Sequence, residues 1–177
     1  MKELNWATHV AASVDAVGAY HALPNTIRRL TPPVIPMSIH RMDSLAEGSI
    51  SDFTLWFGPL PVRWRALHID VDPKSGFTDV QTSGPFKYWN HQHRYDPDPQ
   101  GGSMIVEHID YQHAGGLRGL ITRVLFSRPM LYLLFTYRSF IFRRALNFEP
   151  TSASTLPGET GAGLRPHGSG RDARVER

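Results

Sequence analysis

Apolar and polar residues alternate with a period of two from Met37 to Gln112, and turns rich in glycine and proline interrupt this alternation at short intervals. Such a pattern is typical of strands that bury one face. Links as short as Gly58–Pro61 favour antiparallel neighbours, because parallel neighbours would require long crossover connections. The pattern therefore predicts six strands, at Met37–Leu45, Ser49–Phe57, Val62–Asp72, Gly76–Ser83, Tyr88–Tyr95 and Ser103–Gln112.

The N-terminal region predicts one more strand, followed by short helices. Glu3–Val10 has the pattern of a strand, and Ser13 after it is a suitable N-cap for a helix that reaches about His21. A second helical piece is predicted over residues 25–30. It ends at Thr31-Pro32-Pro33, because proline lacks the backbone N–H and pushes the residue before it into extended geometry.

After Gly116 the period of the apolar residues changes to 3.6, which is typical of a helix with one buried face. Pro129 should kink this long C-terminal helix or split it, with the second piece starting near Arg128. The apolar stripe consists of Leu117, Leu120, Ile121, Val124 and Leu125 before the proline, and of Leu131, Leu134, Phe135, Ile141, Ala145 and Leu146 after it.

Together these elements predict an α+β domain in which a seven-stranded antiparallel sheet wraps around the long C-terminal helix and leaves an apolar cavity between the two. The chain has 177 residues, of which 41% are hydrophobic and 11% aromatic, so it can bury one sizeable core. Residues 149–177 contain no aromatic residue and mix Gly, Pro, Ser and Thr with charges of both signs. We therefore expect a domain at 1–148 and a disordered tail at 149–177.

Composition also excludes several classes of function. Cysteine is absent, which rules out disulfides, iron–sulfur clusters and thiol nucleophiles. The net charge of +3 gives no support by itself for a nucleic-acid partner. Phosphate-binding loops, nucleophile elbows and the zinc-protease motif are absent from the sequence. No apolar run has the length of a signal peptide or a membrane span, so we expect a cytoplasmic protein.

The most distinctive stretch of the chain is Gly84-Pro85-Phe86-Lys87-Tyr88-Trp89-Asn90-His91-Gln92-His93-Arg94-Tyr95. It resembles the Gly-Pro-Phe-x-x-Trp-x-His-x-His-x-aromatic signature of ligand-binding proteins in the START and polyketide-cyclase-like superfamily, often called SRPBCC. Shorter supporting pieces are residues 58–64, 77–81, 107–111 and 135–138. The resemblance covers nearly all of residues 1–148 and implies a helix-grip fold with a pocket for an apolar or amphipathic small molecule.

Two features depart from the family pattern. Glu107 stands where an aspartate is expected, which keeps the charge and changes its reach. No domain resembling a nucleotide-sugar epimerase follows, so the resemblance is to the stand-alone form. Membership implies no particular reaction, because the superfamily contains lipid carriers, cyclases, hormone receptors and binding modules.

Strand alternation identifies the candidate ligand-binding residues. Trp89, His91, His93 and Tyr95 share one face of their strand, and neighbouring strands can turn further polar and aromatic side chains toward the same cavity. A hairpin would bring Glu107 beside His91 or His93. The complete predicted set is Trp64, His68, Phe77, Gln81, Trp89, His91, His93, Tyr95, Glu107 and Tyr111.

The polar members of this set have more than one interpretation. In a cyclase- or dehydratase-like enzyme, His91, His93 and Glu107 would be the catalytic residues and would act as a general acid/base pair. In a binding protein they would hydrogen-bond one another, fix the sheet register or orient the polar end of a ligand. Two histidines and a carboxylate also resemble a mononuclear metal set, but no third histidine is clearly placed beside them. The leading prediction is therefore binding of a hydrophobic lipid-, isoprenoid- or polyketide-like molecule, with no metal and no cofactor.

The last predicted helix carries an excess of arginine and of exposed apolar positions. No acidic residue occurs between Asp110 and Glu149. The arginines are expected to form a solvated face that complements the helix C-terminus. The alternative is a transient contact with an anionic membrane or a homodimer through this helix, because Leu131–Phe135 is more apolar than one buried face requires. The arginines are Arg118, Arg123, Arg128, Arg138, Arg143 and Arg144.

Overall fold

The computed structural model describes residues 1–147. The predicted tail at 149–177 lies outside the described residues. The elements are β1 Lys2–Val10, α1 Val14–His21, α2 Thr26–Arg29, β2 Met37–Met42, β3 Ile50–Phe57, β4 Leu60–Asp72, β5 Gly76–Ser83, β6 Phe86–Pro97, β7 Ser103–His113, α3 Gly116–Leu125 and α4 Arg128–Leu146.

The seven strands form one antiparallel sheet in the order β1-β7-β6-β5-β4-β3-β2. Strands β2 to β7 follow one another as a meander, and β1 pairs with β7 so that Trp6 lies opposite Glu107. Register shifts interrupt the β2–β3, β4–β5 and β6–β7 pairings, and such irregularities bend the strands that carry them. The sheet is therefore curved, and the predicted α+β, helix-grip architecture is confirmed.

The C-terminal helical region is divided at Phe126 and Ser127, so its second piece begins at Arg128 as predicted. Ser127 has an extended backbone, with φ −62° and ψ 156°. Pro129 lies in the first turn of α4, where its missing N–H removes no helical hydrogen bond. No helix among residues 1–147 is long and apolar enough to span a membrane.

Helix α4 is attached to the sheet through β1. The Trp6 indole Nε1 donates a hydrogen bond of 2.8 Å to Ser139 Oγ, and Thr8 Oγ1 lies 2.6 Å from the same hydroxyl. The Trp6 ring also packs against Tyr132 and Phe135. These contacts place α4 over the β1 edge of the sheet, so the strands toward the opposite edge are covered less closely.

The buried face of α4 is narrower than the predicted stripe. It consists of Leu131, Phe135, Ser139, Phe142 and Leu146, which recur every three or four residues. Ala145, which the sequence pattern assigned to the stripe, is exposed.

Most of the apolar stripe of α3 stays outside the core, although Leu125 is half-buried and packs against it. Leu117, Leu120 and Val124 are 75%, 58% and 64% exposed, and the buried residues of α3 are Gly119 and Thr122. Gly119 lets α3 approach the preceding backbone closely, because a Cβ there would lie 1.9 Å from the carbonyl oxygen of Ala114. The prediction of one continuous buried stripe through both helices is therefore wrong for Leu117, Leu120 and Val124.

Gly76 provides a test of how closely β5 and β6 are packed. Its φ of 129° disfavours other residues, and a Cβ would lie 1.8 Å from the carbonyl oxygen of His93. We expect Gly76→Ala to lower the free energy of unfolding by about 2 to 4 kcal/mol, because backbone strain adds to overpacking. Urea denaturation measures this change.

Gly48→Ala is the matched control. Gly48 also has a positive φ, of 76°, but nothing lies within 4 Å of the position of its missing Cβ. Only the backbone cost, about 1 kcal/mol, is expected there. If Gly76→Ala and Gly48→Ala lower the free energy of unfolding by the same amount, the close approach of Gly76 to His93 makes no measurable contribution to stability.

Candidate functional site

A cavity of about 560 Å³ lies between the sheet and α4. Most of its wall is apolar, because alternate residues of β3, β4 and β6 point toward the helix. The apolar wall includes Phe53, Trp64, Ala66, Trp89, Leu131 and Leu134. Its volume is within the range of about 300 to 1,000 Å³ that small-molecule sites occupy.

The mouth of the cavity lies between the segment after α2 and the junction of α3 with α4. Four apolar residues that line the cavity there are strongly exposed: Val34 at 82%, Val124 at 64%, Leu133 at 62% and Met130 at 46%. An apolar molecule that enters the cavity would pass between these side chains.

The structure brings part of the predicted ligand-binding set to the cavity wall. Trp64, His68, Trp89 and His91 line the main cavity. A second cavity of about 230 Å³ adjoins it and is lined by Phe77 and His93, among others. Three polar side chains line both cavities and therefore lie between the two: those of His68, Asp79 and Arg138.

The remaining four predicted residues line neither of these cavities in the described part of the chain. Gln81 holds the backbone of Phe86 through two hydrogen bonds, of 2.9 and 3.3 Å. Tyr95 stacks on His21, and Tyr111 packs edge-on against Phe86. Glu107 lies behind the histidines and is 1% exposed.

Five polar side chains from four neighbouring strands meet between the two cavities. Cross-strand register brings them together: His68 lies opposite Asp79, Asp79 opposite His91, and His93 opposite Glu107. Directly paired residues on one face of a sheet have adjacent side chains. We call His68, Asp79, His91, His93 and Glu107 the polar cluster.

The contacts within the polar cluster are short. Asp79 lies between two histidines, with Oδ1 3.0 Å from His68 Nε2 and Oδ2 3.2 Å from His93 Nε2. Glu107 Oε1 lies 3.5 Å from His91 Nε2 and 3.5 Å from His93 Nδ1. Glu107 was predicted to lie beside His91 or His93, and it lies near both.

Arg138 belongs to this site, although the sequence pattern placed it on a solvated helix face. Its side chain is only 17% exposed, and Nη1 lies 3.7 Å from Glu107 Oε1. It also covers the Phe135 ring, with 5.1 Å between the guanidinium carbon and the ring centroid. The only sequence signal for this position was its place in the Phe135-Thr136-Tyr137-Arg138 piece of the family resemblance.

His21 at the end of α1 closes the other side of the polar cluster. Its ring is buried and lies 5.7 Å from that of His93, centroid to centroid, although the sequence pattern identified His21 only as the end of a helix. Its Nδ1 donates a hydrogen bond of 2.9 Å to the carbonyl of Val17. Burial, followed by the neighbouring His93, lowers the pKa of His21 to about 4, so the ring is neutral near pH 7.

Burial and local charge set the protonation of the other members. Burial, followed by the charge of Arg138, lowers the pKa of His91 to about 3. Burial, followed by His91, also lowers the pKa of His93. For Asp79, burial acts in the opposite direction, but the close contacts with His68 and His93 hold the pKa of the carboxyl well below its usual range. His91 and His93 are therefore neutral beside an ionised Asp79.

Several polar atoms of the site lack a hydrogen-bond partner within residues 1–147. These atoms include Asp79 Oδ1, His91 Nε2, His93 Nδ1, both carboxylate oxygens of Glu107 and Nε of Arg138. A buried polar atom without a partner costs roughly 1 to 3 kcal/mol, so such atoms are uncommon except at sites that receive a ligand, an ion or ordered water.

No family model matches this sequence. No curated protein matches it either.

Solved structures match its fold along most of the chain. A protein of Thermus thermophilus aligns with a TM-score of 0.61 at 13% identity, covering 81% of this chain and 99% of that one. The norcoclaurine synthase of Thalictrum flavum, in complex with dopamine and hydroxybenzaldehyde, aligns at 0.58 and 19% identity, covering 85% and 89%. The major latex-like protein 151 of Panax ginseng aligns at 0.60 and 12% identity, covering 82% and 97%. These likenesses show that the chain has the helix-grip fold.

Proposed function

We propose that this protein binds a hydrophobic or amphipathic small molecule, of lipid, isoprenoid or polyketide type, in the cavity between the sheet and α4. The observation that carries the proposal is the cavity of about 560 Å³ with an apolar wall and a mouth of exposed apolar residues. The fold supports it as well, because a structure of the same fold, norcoclaurine synthase, is in complex with two small aromatic molecules.

The polar groups on the cavity wall would fix the orientation of the ligand. His68, Asp79, His91 and Arg138 lie together at one part of a wall that is otherwise mostly apolar. A small number of polar groups in an apolar pocket gives direction and specificity, whereas the buried apolar area gives most of the affinity. The polar end of the ligand would therefore face the polar cluster, and its apolar part would extend toward the mouth.

A chain-length series of linear alcohols tests this proposal. Each additional methylene contributes about 0.8 kcal/mol, or about a fourfold gain in affinity, until the cavity is filled. Displacement of a fluorescent fatty acid measures these affinities. Ala66→Leu enlarges a side chain on the buried wall and so makes the cavity smaller. In this variant the affinities for the alcohols should stop rising at a shorter chain length.

Ala145→Leu is the control, because the same change is made on the exposed surface of α4. It should leave the series unchanged. If Ala66→Leu and Ala145→Leu give the same series as the unmodified protein, or if no probe binds, the cavity is not the binding site.

A cyclase- or dehydratase-like enzyme is the alternative function. The observation that favours it is the contact of Glu107 Oε1 with both His91 and His93 at 3.5 Å. Two observations weigh against it. The pKa of His91, about 3, is far from the value near 7 that serves a general base best, and Glu107 does not line the main cavity.

The two functions give different results for His93→Ala. An enzyme of this kind would lose turnover of a polyketide-like substrate while it kept uptake of the fluorescent fatty acid, because His93 does not line the main cavity. His108→Ala, at a half-exposed histidine on β7, should change neither quantity. If the unmodified protein turns over none of the cyclisation or dehydration substrates tested, the enzyme alternative is rejected.

We propose further that the mouth of the cavity contacts an anionic membrane surface when ligand is exchanged. Val124 and Leu133 expose apolar side chains at the mouth, Leu120 is exposed one turn before Val124, and Arg118 and Arg123 are exposed elsewhere on the surface of α3. The sequence from Tyr111 to Phe148 contains no acidic residue that would repel anionic lipids. Apolar residues flanked by arginine are typical of surfaces that insert shallowly into such membranes.

Sedimentation with phosphatidylglycerol vesicles tests the membrane contact. Each arginine near an anionic surface contributes about 1 kcal/mol, so R118Q/R123Q should weaken binding by about thirtyfold. R143Q/R144Q, at the far end of α4, removes the same charge and should have little effect. Equal losses in the two double variants, or absence of sedimentation at low salt, would contradict the proposed orientation.

A further inference from the structure

Two histidines and a carboxylate meet in the polar cluster in an arrangement suited to a metal ion. Asp79, His91 and His93 each offer one ligand atom, and these atoms all lie within 4.8 Å of one another. We propose that Asp79, His91 and His93 bind a divalent transition-metal ion. This inference is independent of whether the main cavity binds a hydrophobic molecule.

The cluster contains buried polar atoms that nothing within residues 1–147 satisfies. His91 and His93 are 4% and 5% exposed, and one ring nitrogen of each has no hydrogen-bond partner. Neither oxygen of Glu107 has one. Such atoms are costly in a protein interior. A cation bound at His93 Nε2 would leave the Nδ1–H of that ring to donate toward Glu107 Oε1, which lies 3.5 Å away.

The arrangement around Asp79 also favours a shared ion. One of its oxygens, Oδ1, already has His68 Nε2 at 3.0 Å, whereas Oδ2 faces His93 Nε2 at 3.2 Å. Oδ2 and His93 Nε2 therefore lie close enough to share one metal ion. The Asp79 side chain is 25% exposed and lines both cavities, so a metal there would be accessible from solvent.

Glu107 occupies a supporting position behind the histidines. Histidine that binds a metal through one ring nitrogen commonly donates the other N–H to a carboxylate, which fixes the tautomer and the ring orientation. His93 Nδ1 lies 3.5 Å from Glu107 Oε1, on the opposite side of the ring from the Nε2 that faces Asp79. Glu107 is thus a positioning residue, and its own charge is partly balanced by Arg138 at 3.7 Å.

The donor set indicates the class of metal. Two imidazoles and one carboxylate, without a thiolate, suit zinc, iron(II), cobalt(II) or manganese(II) rather than a soft ion such as copper(I). Three protein ligands leave at least one coordination position open. Because Asp79 and His91 line the main cavity, this position would face a molecule bound there.

A metal was not expected from the sequence, because no third histidine is clearly placed near His91 and His93. The set considered from the sequence already had a carboxylate beside the two histidines, and the structure offers Asp79 for that place, opposite His91 in the β5–β6 pairing.

Metal titration of the full chain tests the proposal. The protein is stripped with a chelator, and zinc is then added and followed by isothermal titration calorimetry. Cobalt(II) is added in parallel, because its visible absorption reports the number and type of ligands. We expect one ion per chain, and we expect Asp79→Asn and His91→Asn each to lower the affinity by about ten- to hundredfold or more, since even loss of an outer partner has effects of that size.

His108→Ala is the matched control. His108 lies on β7 near Glu3 and Asp110, and it forms a half-exposed histidine and carboxylate group outside the polar cluster. Its replacement should leave the affinity and the cobalt spectrum unchanged. The proposal is overturned if the unmodified protein binds neither ion, or if His108→Ala lowers the affinity while Asp79→Asn and His91→Asn leave it unchanged.

Fatty-acid displacement on the same stripped and reloaded samples reports the main cavity separately. Loss of metal binding with normal fatty-acid uptake would overturn only the metal inference. Normal metal binding with no uptake would overturn only the proposed function. Circular dichroism of each variant shows whether it has folded. If a variant has not folded, metal titration of the unmodified protein still tests the proposal.

Discussion

The attachment of α4 to β1 determines the space that the rest of the structure encloses. Ser139 is buried and lies within hydrogen-bond distance of both Trp6 and Thr8. Separation of these groups in a dry interior would leave polar atoms unpaired, at roughly 1 to 3 kcal/mol each. The helix is therefore held over one edge of a curved sheet, and it cannot settle equally onto every strand. The cavity remains where the sheet curves away from the helix.

Burial of the polar cluster costs more free energy than burial of the apolar residues around it. Polar and ionised groups are stable there only when partners compensate for the lost contact with water. His68 and His93 compensate Asp79, and Arg138 faces Glu107 at 3.7 Å, but several nitrogen and oxygen atoms stay without partners within residues 1–147. An apolar core of the same volume would avoid these costs. The cluster therefore costs stability, which is consistent with the binding roles proposed for it.

The sequence by itself determined the elements and the faces of the strands. A period of two fixes which residues share a face whatever the sheet packs against, so the burial of Trp89, His91, His93 and Tyr95 was predictable. Proline chemistry likewise fixed the division near Arg128. The sequence did not indicate which inward residues reach empty space, since that depends on how far α4 stands from each strand.

Only the tertiary structure decided which residues form the site and which apolar residues of α3 are exposed. Asp79 and Arg138 are separated along the chain from the histidine motif, and cross-strand register and the position of α4 bring them to it. A helical period predicts an apolar stripe but not what covers that stripe, so the exposure of Leu117 and Leu120 could not be predicted. Local patterns fix local geometry, whereas contacts between distant residues depend on how the whole sheet curves around its helix.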